Sequence, residues 1–456
     1  MGRSLATLPP AKDEADRQAQ QPAADTAAAA ATGAEPTEEK DPGLMHVLRT
    51  LDPLTRKQLT VLAVGTGVVS LGFGMVVPVL PQFAAQWGDM GATGIGMVIA
   101  APTLSKLLLN RYAGRRADSH GRVHMMVGGA ALSSLGNFLT AFATSMQGVC
   151  GARLVVGSGG SAGGAASQAY LADVTAKYPL HRGAIMGTLG SIGMLSYGLG
   201  PAAGGLLAEQ FGPSISFGCV GAAAAICAAA YSTLPETLPK ATQEAAQRGE
   251  TLDGKQAVEI SFYELLASNP RLQQVIVMDS AVYIGWAVWM AVVPLQAVAV
   301  WGATPGTLGT MYSTMAIAGA IGAPLGGVLS DKIGRDKTIG GGAVLCAGST
   351  MLLPFSTTMI GFASVLVVWD FAEGVVGSAL SALAADAAGE KHRAQVFALR
   401  SQIESGIFLV APISIGLIAD TFSLEAGLWT SSITMTGAVG AFAWLSRKAR
   451  YAPPVQ

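Results

Sequence analysis

Charge is what this 456-residue chain has little of: Asp, Glu, Lys and Arg together make up 12%, against 51% hydrophobic residues and a mean hydropathy of +0.45. Ordinary soluble domains carry roughly 25% charged residues. A water-soluble chain of this length could not cover its surface with so little charge, so the medium around it is lipid. The net charge is −1 and the basic residues are confined to short loops, which excludes a nucleic-acid-binding surface. Cysteine is scarce too. Cys150, Cys219, Cys227 and Cys346 each fall inside an apolar stretch with no CxxC pair, which excludes a disulfide framework or thiolate metal centre and leaves small core residues. No GxxxxGK[ST] loop, nucleophile elbow or metal-ligand spacing is present, so the sequence implies no ATP-driven step, no enzyme and no cofactor.

Residues 1–57 are rich in Ala, Pro, Gln and Glu and lack apolar periodicity, as expected of a disordered cytosolic tail. No apolar core follows the start, and Asp13, Glu14, Glu35, Glu38 and Glu39 argue against a transit peptide. From Leu59 onward, apolar stretches of about 20 residues recur, the length that crosses about 30 Å of hydrocarbon. Twelve are expected, over 59–80, 93–111, 123–142, 147–170, 184–208, 213–234, 272–300, 304–329, 339–356, 359–385, 398–419 and 425–446. The expectation is an all-α membrane protein: a six-span bundle over 58–234, a cytosolic linker over 235–270, a second bundle over 271–447 and a cytosolic tail over 448–456. The linker holds Lys240, Glu244, Arg248, Glu250 and Lys255.

Basic residues gather in cytosolic loops of membrane proteins. Here they occupy every second connection, from Arg56 and Lys57 through Arg115, Arg116 and Arg122, Lys177 and Arg182, Lys332 and Lys337, Lys391 and Arg393, to Arg447 and Lys448. The loops near Trp87, Ser145, Gln210, Gly302, Thr357 and Ser423 hold none, so both termini are expected in the cytosol.

The two halves repeat. Gly114-x-x-x-Asp118-x-x-Gly121-Arg122 after span 2 returns as Gly327-x-x-x-Asp331-x-x-Gly334-Arg335 after span 8, at an offset of 213 that also takes Asp173 to Asp386. A shift of two residues then takes His181-Arg182 to His392-Arg393 and Gly200-Pro201 to Ala411-Pro412. Two related halves are the architecture of alternating access.

These residues resemble the major facilitator superfamily over roughly Leu59 to Arg447. Its Gly, Asp, Gly-Arg loop signature is present twice, closest in the second copy, whereas Arg116 and Ser119 depart from it in the first. Arg153-Leu-Val-Val-Gly157 is similar to the family's membrane-buried arginine motif. Gly190, Gly193, Gly200, Pro201, Gly204 and Gly205 in span 5 are similar to the motif of the twelve-span drug:proton antiporters. The resemblance implies a secondary transporter whose loop motifs latch the cytosolic side and whose span 5 glycines seal against leak. Local anchoring by charge and generic tight packing are the plainer readings of the same residues.

Charges inside hydrocarbon cost roughly 2.5–3.5 kcal/mol each on insertion scales, so each marks a candidate site. Asp370 lies near the middle of span 10 with Glu373 one turn further on the same face. A buried carboxyl beside another holds a proton readily, and Arg153, if it crosses the cavity to meet them, would compete with that proton. Asp279, Tyr283, Trp286 and Met290 recur at spacings of four, three and four on one face of span 7, a pattern that suits an organic cation or, more plainly, aromatic packing with Asp279 paired to a neighbour. Glu404 stands one turn beyond Arg400, as expected of a local ion pair, and Lys106 is expected to snorkel to the cytosolic interface. Span 1 has no acid, which places proton coupling in the second half.

The sequence thus implies proton-coupled export of small amphipathic molecules by a monomer in a lipid bilayer, with protons and a small-molecule substrate as partners. A symporter or facilitator of sugars or metabolites, and a non-transporting receptor or scaffold on the same fold, stay open.

Overall fold

A computed structural model describes residues 51–85, 91–178, 181–239, 266–267 and 269–450. The expected tail as far as residue 50, the five charged linker residues named above, Trp87 and the last six residues lie outside the described residues. So do the side chains of Lys391, His392 and Arg393.

Every regular element among the described residues is a helix. They are α1 (Pro53–Val76), continued through a 3-10 turn (Val77–Val79) into α2 (Leu80–Ala85), then α3 (Gly91–His120), α4 (Arg122–Ala141), α5 (Met146–Thr175), α6 (Arg182–Phe211) and α7 (Pro213–Tyr231). The second half holds α8 (Pro270–Ala291), α9 (Val293–Trp301), α10 (Pro305–Ile333), α11 (Arg335–Leu352), α12 (Met359–Thr421) and α13 (Leu424–Arg450). α1 starts earlier than the expected end of the tail at residue 57. Asp52 caps it by accepting the Thr55 N–H at 3.0 Å, and Pro53 at the first helical position needs no hydrogen-bond partner. The Thr55 hydrogen bonds hold the Asp52 carboxyl down at about 2.

Among the described residues, eight segments are long and apolar enough to cross a bilayer: Pro53–Phe83, Gly91–His120, Pro213–Tyr231, Pro270–Trp301, Pro305–Ile333, Arg335–Phe355, Met359–Ala388 and Gln395–Thr421. The other four expected spans are helical as α4, α5, α6 and α13 but are diluted by Gly, Ser and Thr, which lowers their hydropathy below that measure. Their outer faces are nonetheless apolar. Leu135, Leu195 and Ile433 are 51%, 64% and 69% exposed, an apolar surface suited to lipid.

The backbone is helical without a break from Met359 to Thr421, where the sequence predicts two spans and a loop. A straight helix would put Ser381 and Arg400 about 28 Å apart. Their side chains touch at 3.3 Å, so the chain turns back between them and the two apolar segments lie side by side.

Helices α1 to α7 pack on one another, as do α8 to α13, and the halves meet where α3 lies along α12 and α6 along α10. Small residues allow this approach. A Cβ at Gly96 would fall on the Pro412 carbonyl, one at Gly205 on that of Pro305, and one at Gly309 on that of Pro201. Pro201 leaves the Tyr197 carbonyl without its helical partner, and Gly74 of α1 makes room for it, since a Cβ there would stand 2.6 Å from that oxygen. The Ala202 N–H donates across the halves to Ser313 Oγ at 2.9 Å.

All of these contacts lie in the layer nearest the loops that lack Lys and Arg, and two carboxylates close that layer. Asp420, at the end of α12, accepts from the first free backbone groups of α3, Ala92 N at 2.7 Å and Thr93 N at 2.9 Å, and from Thr93 Oγ1 at 2.6 Å. Gly91, with φ of 59°, lets the carboxylate in, because a Cβ there would collide with it. Glu209, at the end of α6, reciprocates by accepting Gly306 N of α10 at 3.1 Å. Asp420 follows Glu209 by 211 residues and Gly306 follows Thr93 by 213, the two offsets of the sequence repeat. Each half therefore caps a helix of the other with a negative charge at its positive end.

If these caps hold the layer shut, Glu209→Gln combined with Asp420→Asn should raise several-fold the maleimide labelling of Ala316→Cys in a background lacking the four native cysteines. Unchanged labelling would show that packing alone closes it.

Candidate substrate cavity and its charges

Beyond the closed layer, the halves enclose a cavity of about 270 Å³. Val69, Phe73, Val98, Val220 and Phe408 give it apolar walls, while Lys106, Arg153 and Glu404 bring charge to it. α4 and α5 pack closely through Gly129, Gly136 and Gly159, and this brings Arg153 within reach of the α4 polar groups. Arg153 is 4% exposed and donates from Nε and Nη2 to Thr140 Oγ1, at 3.2 and 2.9 Å, and from Nη2 to Asn137 Oδ1 at 3.2 Å. Its guanidinium lies 4.9 Å from the centroid of Phe217. The sequence allowed Arg153 to cross to Asp370 and Glu373. Instead its partners all belong to its own half, because that face of α4 supplies acceptors much nearer. Lys106, expected to snorkel away, faces the cavity and lies along Gly160.

Asp279 and Arg400 form the buried ion pair of the second half. Arg400 Nε meets Asp279 Oδ2 at 2.6 Å and Nη2 meets Oδ1 at 3.0 Å, a two-pronged geometry, with side chains 11% and 6% exposed. Arg400 Nη1 also donates to Ser381 Oγ at 3.3 Å. Arg400 therefore pairs with Asp279 rather than with Glu404, because the parallel fork satisfies both carboxylate oxygens, which the neighbour one turn away does not. The acid expected to attract an organic cation already has a counter-ion. The aromatic face remains: Tyr283 meets Phe408 at 6.1 Å and Trp286 meets Tyr197 across the halves at 6.4 Å, with Met290 lining the cavity beside them.

Asp370 is 3% exposed and lies against the bare backbone of Gly319, where a Cβ would stand 3.0 Å from its Oδ2. Its Oδ1 has no hydrogen-bond partner, and no described ion pair reaches it. It borders a small cavity of about 20 Å³ between the halves with Tyr197, Pro201, Trp286 and Tyr312, room for about one water molecule. Trp289 and Trp369 pack beside it at 3.8 Å with their Nε1 atoms also unpartnered, and the Tyr312 hydroxyl donates to the Trp289 carbonyl at 2.6 Å. Glu373 is half-buried one turn further along.

The repeated loop signature is built alike in both halves. Gly121 and Gly334 have φ of 98° and 94°, a conformation that favours glycine, and each turns the chain into the helix that starts with the signature arginine. Arg122 pairs with Asp173 at 2.8 Å, not with Asp118 as the spacing predicts. Arg335 pairs with the equivalent Asp386 at 3.1 Å and also with Asp331 at 2.7 Å. Glu236 accepts the Arg122 and Val123 N–H groups, both at 3.0 Å. In this conformation each of these ion pairs stays within one half. Nothing lies near a Cβ position of Gly114 or Gly327, and the structure does not explain them. In the span 5 motif, Gly193, Gly200 and Gly204 face α1, Gly205 faces α10, and a Cβ at Gly190 would meet open space.

Residues 62–278 and 275–455 each match the Major Facilitator Superfamily. The chain belongs to that family and is a multi-pass integral membrane transporter, not an enzyme. An uncharacterized MFS-type transporter of Methanocaldococcus jannaschii is 24% identical over 395 residues, 85% of this chain and 98% of that one. Multidrug resistance protein 2 of Bacillus subtilis is 28% identical over 312 residues, covering 67% and 74%. The quinolone resistance protein NorA of Staphylococcus aureus is 30% identical over 156 residues, covering 34% and 39%. Among solved structures, a bacterial homolog of the human lysosomal transporter Spinster, inward-facing and unoccupied, superposes with a TM-score of 0.75 at 15% identity, covering 89% of this chain and 100% of that one. The nucleoside transporter NupG gives 0.68 at 11% identity, covering 85% and 99%.

Sequence reading missed the orientation of Lys106 and the caps Glu209 and Asp420. The repeat offset, applied to acids at span ends, carries the signal for the caps.

Removing one member of the buried pair leaves the other uncompensated, at about 3–5 kcal/mol. Asp279→Asn alone should therefore markedly lower the melting temperature of the purified protein, and Asp279→Val with Arg400→Met should recover much of the loss. Additive losses in the double variant would show that the two side chains act independently.

Proposed function

We propose that the protein is a proton-coupled antiporter that exports small amphipathic organic molecules by alternating access. All twelve helical passes cross the bilayer in this reading, in two six-span bundles with both termini in the cytosol. One observation carries it: the Asp370 carboxyl sits at the seam between the halves with no ion pair among the described residues and one oxygen unpartnered. An unpaired carboxylate is costly in such surroundings, so the group resides there with its proton. It can release that proton only when the seam opens and water reaches it. Glu373, one turn away, is the second acceptor on the route, and Trp286 and Tyr197, in ring contact across the halves, line the small cavity with Asp370.

The remaining geometry supports a two-state cycle. The halves touch in the layer that Asp420 and Glu209 cap, whereas at the basic face the described ion pairs of Arg122 and Arg335 each stay within one half. That is the arrangement of a carrier open to the cytosol, and the solved Spinster homolog is inward-facing. Both caps must break for the opposite side to open, and the loop arginines are then free to find partners across the closing cytosolic side. The Bacillus subtilis and Staphylococcus aureus relatives are named for multidrug resistance and quinolone resistance, which favours organic molecules as the cargo.

In proteoliposomes, Asp370→Asn should keep substrate counterflow while its accumulation under an imposed pH gradient falls by roughly tenfold, the ratio that 1.4 kcal/mol of lost coupling sets. Gradient-driven accumulation at the wild-type level would overturn the role given to Asp370.

A further inference from the structure

Resting on the transporter reading, we infer that the large cavity is a subsite for amphipathic organic anions, with Lys106 and Arg153 receiving the anionic group. Three charged side chains line it, two positive and one negative. The described ion pairs bring no carboxylate to either cation. Arg153 is the more telling of the two. It is almost wholly buried, its hydrogen bonds go to a hydroxyl and an amide, and its Nη1 donates to none of the described residues. Thr140 and Asn137 fix the guanidinium plane without neutralising it, which preorganises a charged donor for a ligand. Buried charges are usually paired. Here Arg153 borders a cavity, so its counter-charge can come from what fills that cavity.

Lys106 is one side of the same chamber, extended along Gly160, where a side chain would stand 3.2 Å from its Cε. Glu404 enters from the other half and forms no described ion pair with it, so the lining keeps an excess of one positive charge. The acid that the sequence offered to a cation, Asp279, is held by Arg400. Most of the remaining wall, including Val69, Phe73, Leu80 and Phe408, is apolar, with Thr103, Ser133, Asn137 and Ser405 as its uncharged polar groups. A ligand fitted to this chamber carries one carboxylate or sulfonate on an aromatic or branched body.

The test uses three probes that share one fluorophore: dansylglycine, its methyl ester and dansylethylenediamine, which are anionic, neutral and cationic. In nanodiscs the anion should bind the wild-type protein about tenfold more tightly than the ester, about 1.4 kcal/mol, and the cation weakest. Lys106→Gln, a change at an open position, should remove most of that preference, and Arg153→Lys should keep more of it than Arg153→Gln. Equal binding of all three, binding of none, or an anion preference untouched by Lys106→Gln would overturn the inference. Counterflow in proteoliposomes separates this from the transport reading. Exchange of the cation or ester without the anion sinks the anion site and leaves the transporter. Anion-selective binding without exchange of any probe sinks the transport reading and leaves the site.

Discussion

The cost of an ionised group in hydrocarbon organises this molecule. With so few charges in the chain, each one inside the membrane must be neutralised by a partner, wetted by a cavity, or carried as an uncharged acid. The described charges differ in their surroundings accordingly. Asp279 and Arg400 cancel in a buried fork. Lys106, Arg153 and Glu404 open onto a shared chamber. Asp370 has no ion-pair partner among the described residues and borders room for about one water molecule. On the proposed function, that sorting sets a buried ion pair beside a titratable seam in the second half and leaves the two cations on the chamber wall to the first.

The second constraint is backbone proximity. The helices that join the halves meet through Gly96, Gly205, Gly309 and Gly416, so carbonyls of one half lie where side chains of the other would be. Such a surface gains its stability from close fit and from the two reciprocal caps, not from burial of large side chains. It can therefore part without exposing a large apolar core to water. Duplication makes the device symmetric: one carboxylate and one helix start from each half, at the offsets of the sequence repeat.

Much of this was legible in the amino-acid order. The apolar stretches, the paired halves and the signature glycines follow from local rules, and Gly121 and Gly334 adopt nearly equal dihedral angles because the same turn is demanded twice. The partners of charged groups were not legible, because they depend on where helices cross. Spacing along one helix favours Asp118 with Arg122 and Arg400 with Glu404, yet each arginine takes an acid from another helix that presents both geometry and shelter. Arg153 likewise answers to the α4 face rather than to distant acids. Composition also understates α4, α5, α6 and α13. Their glycines and hydroxyls serve packing against neighbours, which a hydropathy count reads as polarity.

All of this requires the chamber to be wet and open to one side of the membrane at a time. The most direct check is the labelling of Thr103→Cys, in the cavity wall, in a background without the native cysteines, by a membrane-impermeant maleimide applied to each face of oriented vesicles. The account predicts rapid reaction from the side of the basic loops and protection from the other. Equal reaction from both sides, or none from either, would contradict it.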